Sequence, residues 1–314
     1  MGKPILYVVV PCYNESEVIA ETTKRLTDKI SELIKNESIS ENSRMLFVDD
    51  GSKDNTWELI KGFHEENSYV KAIKLSHNRG HQNALFAGLM TAKENADIVI
   101  SMDADLQDDI NAIDEFIKKY REGNDIVYGV RSCRKSDTFF KRTTAQMFYK
   151  LMRIFGVDIV YNHADYRLMS KRSIDALSEY RETNLFLRGL IPLLGYKTAT
   201  VEYVRSERFA GESKYPLKKM LKFAFDGITS FSTSLIRFVT LLGFGIVGIS
   251  IFIMIYYIIL KAMGKTVLGW ATIVCSIWLL GGIQLLCIGL IGEYIGKIYS
   301  EVKKRPRFNI EESL

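Results

Sequence analysis

Four short segments of this 314-residue chain hold most of the side chains that could do chemistry, and each follows a short apolar run. The first is Pro11-Cys12-Tyr13-Asn14-Glu15, and the second is Asp49-Asp50-Gly51-Ser52 followed by Asp54. The third is Ser76-His77-Asn78-Arg79-Gly80-His81; the fourth runs Asp103-Ala104-Asp105-Leu106-Gln107-Asp108-Asp109. Asp, Asn, Gly and Ser favour turns and helix caps, so any one segment could be turn chemistry. Together they suit a nucleoside diphosphate. The carboxylates of Asp103 and Asp105 can share a site with a pyrophosphate only if a cation lies between them. A hard divalent ion, Mg2+ or Mn2+, fits such oxygen ligands and would stabilise charge building on a departing diphosphate.

Those segments need elements to hold them. Runs rich in Val and Ile (Ile5–Val10, Arg44–Val48, Val70–Leu75, Asp97–Ser101, Asp125–Tyr128) alternate with helical patterns over Glu15–Lys35, Asn55–Glu65, Gly80–Glu94 and Asn111–Arg121. Alternating βαβα order predicts an α/β domain with a mostly parallel sheet covered on both faces. Ligands of such sheets bind beyond the carboxyl ends of the strands, where the four polar segments fall. Trp57, inside a helical pattern, reads as core packing. The four histidines do not read as a zinc site. His77 and His81 have helical spacing but lack the glutamate of an H-E-x-x-H motif, and His64 and His163 are distant in sequence.

The strings PCYNE, VDDGSKDNT and MDADLQDD, in this order and spacing, closely resemble the inverting GT-A glycosyltransferases of family 2. SHNRGHQNAL, YGVR, HADYRLMS and RSERFAGESKYP resemble the polyprenyl-phosphate branch of that family. That branch includes dolichol-phosphate mannose synthases and bacterial bactoprenol glucosyltransferases. The resemblance covers essentially the whole chain. It implies that Pro11, Tyr13, Glu15 and Asp50 hold the base and ribose of the donor. Asp103 and Asp105 would bind the metal, and Gln107 would approach donor or acceptor. Arg131, Arg208 and Lys214 would meet the acceptor phosphate or donor diphosphate. Asp165 stands where the family keeps an acidic residue near the transferred sugar. A lipid phosphate is largely ionised at neutral pH, its second pKa being about 6. It therefore needs no general base, and Asp165 is read as an orienting group. Arg134 and Arg205 are further cations that could help two anions meet.

The second half of the chain differs in composition. Phe238–Leu260 and Val267–Gly292 contain no charged residue, and each exceeds the roughly 20 residues that span a bilayer. Lys214, Lys218, Lys219, Lys222 and Arg237 precede the first span, and Lys297, Lys303, Lys304, Arg305 and Arg307 follow the second. The connector offers only Lys261 and Lys265, so the positive-inside rule places the N-terminal domain and the tail in the cytoplasm. Between Lys214 and Phe231 apolar residues recur at three- and four-residue steps. Such a helix lies in the headgroup layer or packs on the soluble domain. The expected organisation is a GT-A catalytic domain over 1–212 and amphipathic interfacial helices over 213–234. Two transmembrane helices over 235–296 and a basic cytoplasmic tail over 297–314 follow.

The four scattered cysteines and the absence of a signal peptide fit a reducing compartment, and a net charge of +5 gives no reason to expect a nucleic-acid partner. The expected reaction moves glucose or N-acetylglucosamine from a UDP-sugar to undecaprenyl phosphate at the inner face of the cell membrane. Its product would serve modification of a cell-envelope glycan, with a flippase and an envelope glycosyltransferase downstream. Small residues in the spans, Gly243, Gly245, Gly248, Gly281 and Gly282, permit close helix packing, and the resemblance to the bacterial bactoprenol glucosyltransferases, which the two spans favour, implies a homo-oligomer, a tetramer. A processive polysaccharide synthase is the first rival, but the Q-x-x-R-W motif is missing: no tryptophan lies between Trp57 and Trp270. The second is a nucleotide-binding membrane scaffold without turnover.

Overall fold

The computed structural model of the chain describes residues 2–131, 163–183, 185–204, 234–263 and 269–314. Arg134, Arg205, Arg208, Lys214 and the amphipathic stretch 214–231 lie outside the described residues. Two compact units emerge: an α/β unit, which includes 305–314, and a helical unit built mainly from 218–304.

In the α/β unit the strands are β1 (Leu6–Cys12), β2 (Arg44–Asp49), β3 (Val70–Leu75), β4 (Ile98–Ser101), β5 (Ile126–Arg131), β6 (His163–Ser170), β7 (Thr198–Tyr203) and β8 (Ile310–Ser313). They form one sheet in the order β7-β5-β6-β4-β1-β2-β3-β8. β4, β1, β2 and β3 are mutually parallel, as the alternating pattern predicts. β6 departs from it, running antiparallel between β4 and β5. That reversal matters for function, because it brings the start of β6 to the edge where β4 ends. β1 is fully apolar along its buried length, which is what a central strand covered on both faces requires.

The helices of this unit are α1 (Ile19–Lys35), α2 (Thr56–Glu66), α3 (His81–Ala92), α4 (Ala112–Arg121), α5 (Lys171–Ser178) and α6 (Leu187–Leu193). α1 buries Ile19, Leu26, Ile30 and Leu33, a stripe at helical spacing. α3 is buried through Ala84–Leu89 and lies close on the sheet. A Cβ added at Gly88 would come within 2.4 Å of Val9 Cγ1 and 2.7 Å of Val48 Cγ2. α4 carries Asp114 and Glu115 in its first turn and Lys118, Lys119 and Arg121 in its last, a distribution that complements the helix dipole.

The last residues differ from the expected tail. Residues 297–303 continue a helix, and Ile310–Ser313 add to the sheet edge as β8, antiparallel to β3. The physical reason lies in side chains that only the fold brings together. Glu312 accepts from the buried indole Nε1 of Trp57 at 3.0 Å, Lys74 pairs with Glu311 at 3.3 Å, and Leu314 packs against the core. Just upstream, the Arg307 guanidinium stacks 4.5 Å from the Phe86 ring centroid and donates to the Tyr180 carbonyl.

The helical unit holds α7 (Ser234–Ala262) and α8 (Trp270–Lys303). Large apolar side chains such as Phe244, Phe252, Leu279, Leu285 and Ile288 stand exposed on them. Exposed apolar surface of this extent marks a face meant for lipid or another protein. Among the described residues one helical stretch, Leu279–Lys303, is long and apolar enough to cross a membrane.

Candidate functional site: the carboxyl edge of the sheet

The parallel strands β1, β2, β3 and β4 all end on one edge, and the loops that follow them are tied to one another. After β1, Asn14 adopts a left-handed conformation (φ 54°), its N–H donating to Ser52 Oγ at 3.0 Å and its side-chain oxygen accepting from Lys53 N at 2.8 Å. Asp54 accepts from Thr56 N at 3.1 Å and Ser16 N at 3.2 Å, so it ties the first residue of α2 to the β1 loop. Gly51 has φ +66°, and a Cβ there would meet Asn78 N and the His77 carbonyl carbon at 2.9 Å. This close approach, with positive φ, explains why glycine occupies the position.

Asp50 is buried at the end of β2. Its Oδ1 accepts from Arg79 N at 2.7 Å and its Oδ2 from Gly80 N at 2.9 Å, bracing the loop that leads into α3. Burial nevertheless pushes its carboxyl above the ordinary carboxylate range, the two backbone N–H groups opposing but not cancelling it. Pro11 lies within β1 in register with Val48, and Tyr13 and Glu15 are half-buried in the loop beyond.

Across the edge the chemistry changes. Asp103 and Asp105 follow β4 in a turn that carries Leu106 at φ +57°. Thr22 of α1 steadies it by donating to the Ala104 carbonyl at 2.9 Å, and Gln107 N donates to Asp105 Oδ1 at 3.2 Å. Because β6 is antiparallel, Asp165 stands near its start on the same edge. Its carboxylate is gripped by two arginines. Arg188 of α6 donates from Nε to Oδ1 at 3.1 Å and from Nη2 to Oδ2 at 2.9 Å. Arg167, itself buried, donates from Nη2 to Oδ1 at 2.5 Å.

His81, the first residue of α3, joins the two acids. Its Nε2 lies 3.7 Å from Asp103 Oδ1 and 3.6 Å from Asp165 Oδ2. Burial alone would lower the imidazole pKa, but the Asp165 and Asp103 carboxylates outweigh it and raise it. For Asp165 the cations likewise win over burial, Arg188 first, and hold the carboxyl well below its ordinary value. Asp103 moves the other way: burial raises it and Asp165 and Asp105 add to the rise, against the opposing influence of His81 and Arg188. Asp108 is buried as well, and burial with the nearby Asp103 charge pushes it up to about 7. Asp103 and Asp105 thus stand among several acidic groups, and their carboxylate oxygens fit a hard divalent cation.

Of the residues singled out by sequence, Asp103, Asp105, Gln107 and Asp165 come to one end of the sheet's edge, and Asp50, Tyr13 and Glu15 to the loops beyond β1 and β2. Arg131 ends β5, with Cα register partner Tyr203 at the end of β7. Arg208 and Lys214 lie outside the described residues. His81 and Arg188 were missed as parts of a functional cluster. His81 carried a signal, standing inside one of the four polar strand-end segments, whereas Arg188 sits in a short helix with no motif around it.

Residues 7–178 match the model of glycosyl transferase family 2. The chain belongs to glycosyltransferase family 2. This glycosyltransferase is 57% identical over 313 residues to the uncharacterized glycosyltransferase YkoT of Bacillus subtilis, covering 100% of this chain and 93% of that one. It is 40% identical over 308 residues to the bactoprenol glucosyl transferase of Shigella phage SfII, covering 98% and 97%. A prophage bactoprenol glucosyl transferase homolog of Escherichia coli is 39% identical over 307 residues, covering 97% of each chain. Among solved structures, a mannosyltransferase from Pyrobaculum calidifontis in complex with GDP-Man and Mn2+ is 16% identical with a TM-score of 0.43, covering 96% of this chain and 87% of that one.

Proposed function

We infer that this glycosyltransferase moves a sugar from a UDP-sugar to the phosphate of a polyprenyl lipid, undecaprenyl phosphate, at the inner face of a membrane. The observation that carries the reading is similarity to bactoprenol glucosyl transferases along 98% of the chain, well beyond the family match that ends at residue 178. It therefore includes α7 and α8, whose exposed apolar side chains suit a bilayer. In this reading the two helices form a membrane hairpin, and flanking lysines and arginines keep the α/β unit on the cytoplasmic side. Glucose is the favoured sugar and N-acetylglucosamine the next.

The reaction is a displacement at the anomeric carbon with inversion. A phosphate oxygen of the lipid bonds to that carbon as its bond to the diphosphate oxygen breaks, and the electron pair leaves with UDP. Asp103 and Asp105 would hold Mg2+ or Mn2+, which supplies positive charge against the leaving diphosphate. Tyr13, Glu15 and Asp50 receive the nucleoside; Asp50 has lone pairs left beyond the two backbone bonds it accepts. Asp165 is read as an orienting group rather than the base: Arg188 and Arg167 bond both of its oxygens and lower its basicity, so it orients the sugar and the arginines around it. Catalysis then rests on positioning and on charge stabilisation. Arg131, Arg208 and Lys214 meet the acceptor phosphate. The lipid-linked product carries a polar head that does not cross a bilayer unaided, so a flippase follows.

The test is transfer by purified full-length protein in detergent, with undecaprenyl phosphate, Mg2+ and a panel of labelled UDP- and GDP-sugars. Label should enter the lipid phase with a UDP-hexose and disappear with EDTA. Folded protein that labels lipid with no donor would overturn the reading.

A further inference from the structure

Tyr203 closes β7, and its ring is held from two sides. It meets the Tyr166 ring edge-on with centroids 5.3 Å apart, and Gly129 on β5 leaves the space it fills; a Cβ there would come 3.1 Å from Tyr203 Cε1. So fixed, its hydroxyl donates to Asp108 Oδ1 at 2.6 Å. The same hydroxyl meets the guanidinium of Arg131, its register partner across the β5–β7 pair. Asp108 is 4% exposed, and its second oxygen has no hydrogen-bond partner among the described residues; the same holds for Arg131 Nε. A buried carboxylate left half-satisfied is costly unless a nearby cation or ligand answers it. Asp108 also lies three residues after Asp105, in the segment that carries the proposed metal ligands.

We propose that Tyr203 is a positioning residue, linking Asp108 behind the Asp103–Asp105 turn to Arg131 and so aiming the guanidinium at the acceptor phosphate. The inference rests on the acceptor role of Arg131 given above. A hydroxyl can donate to a carboxylate and accept from a guanidinium at once, which few other side chains can do at this size. Without it, Asp108 and Arg131 lose the shared atom that fixes their separation. Arg131 then keeps its charge but not its aim. The loss should fall on the lipid phosphate rather than on the nucleotide, because the donor's base and ribose sit across the edge, beyond β1 and β2.

The experiment measures initial rates for full-length wild type, Tyr203→Phe, Arg131→Lys and the double variant, varying undecaprenyl phosphate and the UDP-sugar separately. Tyr203→Phe should raise KM for the lipid about tenfold, the loss expected for one hydrogen bond to a charged group, while KM for the donor stays within about twofold. In the Arg131→Lys background the same change should add little, since both act through one contact. An unchanged lipid KM, equal losses for both substrates, or additive effects in the double variant would overturn the proposal. If Tyr203→Phe does not fold, Asp108→Asn, which keeps an acceptor for the hydroxyl but removes the charge, is read by the same rule. Failure of the function itself looks different: wild type would label no lipid, and the inference would fall with it.

Discussion

On the β1–β3 side of the sheet's edge, acidic side chains are answered by backbone N–H groups; on the β4–β6 side they are answered by cations. Asp50 and Asp165 make the contrast sharp, since both are buried. Asp50 accepts from two amides, and its pKa still rises. Asp165 has Arg188, Arg167 and His81 around it, and its pKa falls well below the ordinary value. Burial is common to both, so full charges rather than depth set the direction of the shift. Backbone dipoles build a shaped loop, the one proposed to receive the nucleoside. A balanced set of charges builds a place where charge can be redistributed.

Asp105→Ala should have the largest effect. Loss of a group that stabilises charge in the transition state costs on the order of 10^3 in turnover. The thermal midpoint should barely move, because the half-buried turn is held by Thr22 as well. Retention of more than a tenth of the transfer rate would move the reactive centre away from this half.

Arg188→Met comes next, and should lower transfer about a hundredfold with a stability cost of about 2 kcal/mol, Arg167 still pairing the acid. Its pH signature follows from the direction of the Asp165 shift. A depressed carboxylate stabilises the fold above its unfolded pKa, about 3.9, and that contribution is lost as pH falls through the folded pKa. Removing Arg188 lifts the folded pKa, so acid unfolding of EDTA-treated protein should begin at higher pH than in wild type. Asp50 works in the opposite sense: its raised pKa makes the ionised form a cost above the folded value, relieved as pH falls. If Arg188→Met leaves the acid limb where it was, full charges do not distinguish the two halves.

How far the sequence shows this contrast depends on which interactions are local. Part of the β1–β3 half is legible because its partners are local, as with Asp54 and Thr56; the bonds from the 79–80 backbone to Asp50 span 29 and 30 residues and only the fold supplies them. The predicted strands Arg44–Val48 and Val70–Leu75 match β2 and β3 to within a residue. In the β4–β6 half Asp103 and Asp105 stand out as a strand-end acidic pair, whereas Asp165 was reached only through the family motif. Nothing in HADYR shows that its strand runs antiparallel, and that direction alone sets Asp165 beside Asp103. β8 was hidden for another reason. Ile-Glu-Glu-Ser has no apolar alternation, because its stability comes from Trp57, Lys74 and the β3 backbone, far away in sequence.

Gly51→Ala attacks the β1–β3 half through its backbone. A Cβ would press on the His77–Asn78 backbone in a conformation that L-residues disfavour, for a cost of about 2 kcal/mol. KM for the donor should rise several-fold while KM for the lipid holds. A larger effect on the lipid would break the division between the halves.

The smallest effect is expected at Glu312→Ala, which removes the acceptor of the Trp57 indole N–H on the sheet's far edge. One hydrogen bond of this kind contributes about 1 kcal/mol, and a domain of this size loses about 2–4 °C in Tm for it. Both KM values should stay at wild type, because β8 and Trp57 lie outside either half of the site. A fall in Tm without kinetic change would establish the last strand as a staple for the edge strand β3, closing off backbone groups that would otherwise pair with another chain. A rise in donor KM like that of Gly51→Ala would instead extend the β1–β3 half to the sheet's edge, since β3 carries the 76–80 loop that Asp50 braces. The distinction would then be between strands tied to the nucleoside and strands tied to the phosphates, with the chain's own end belonging to the first.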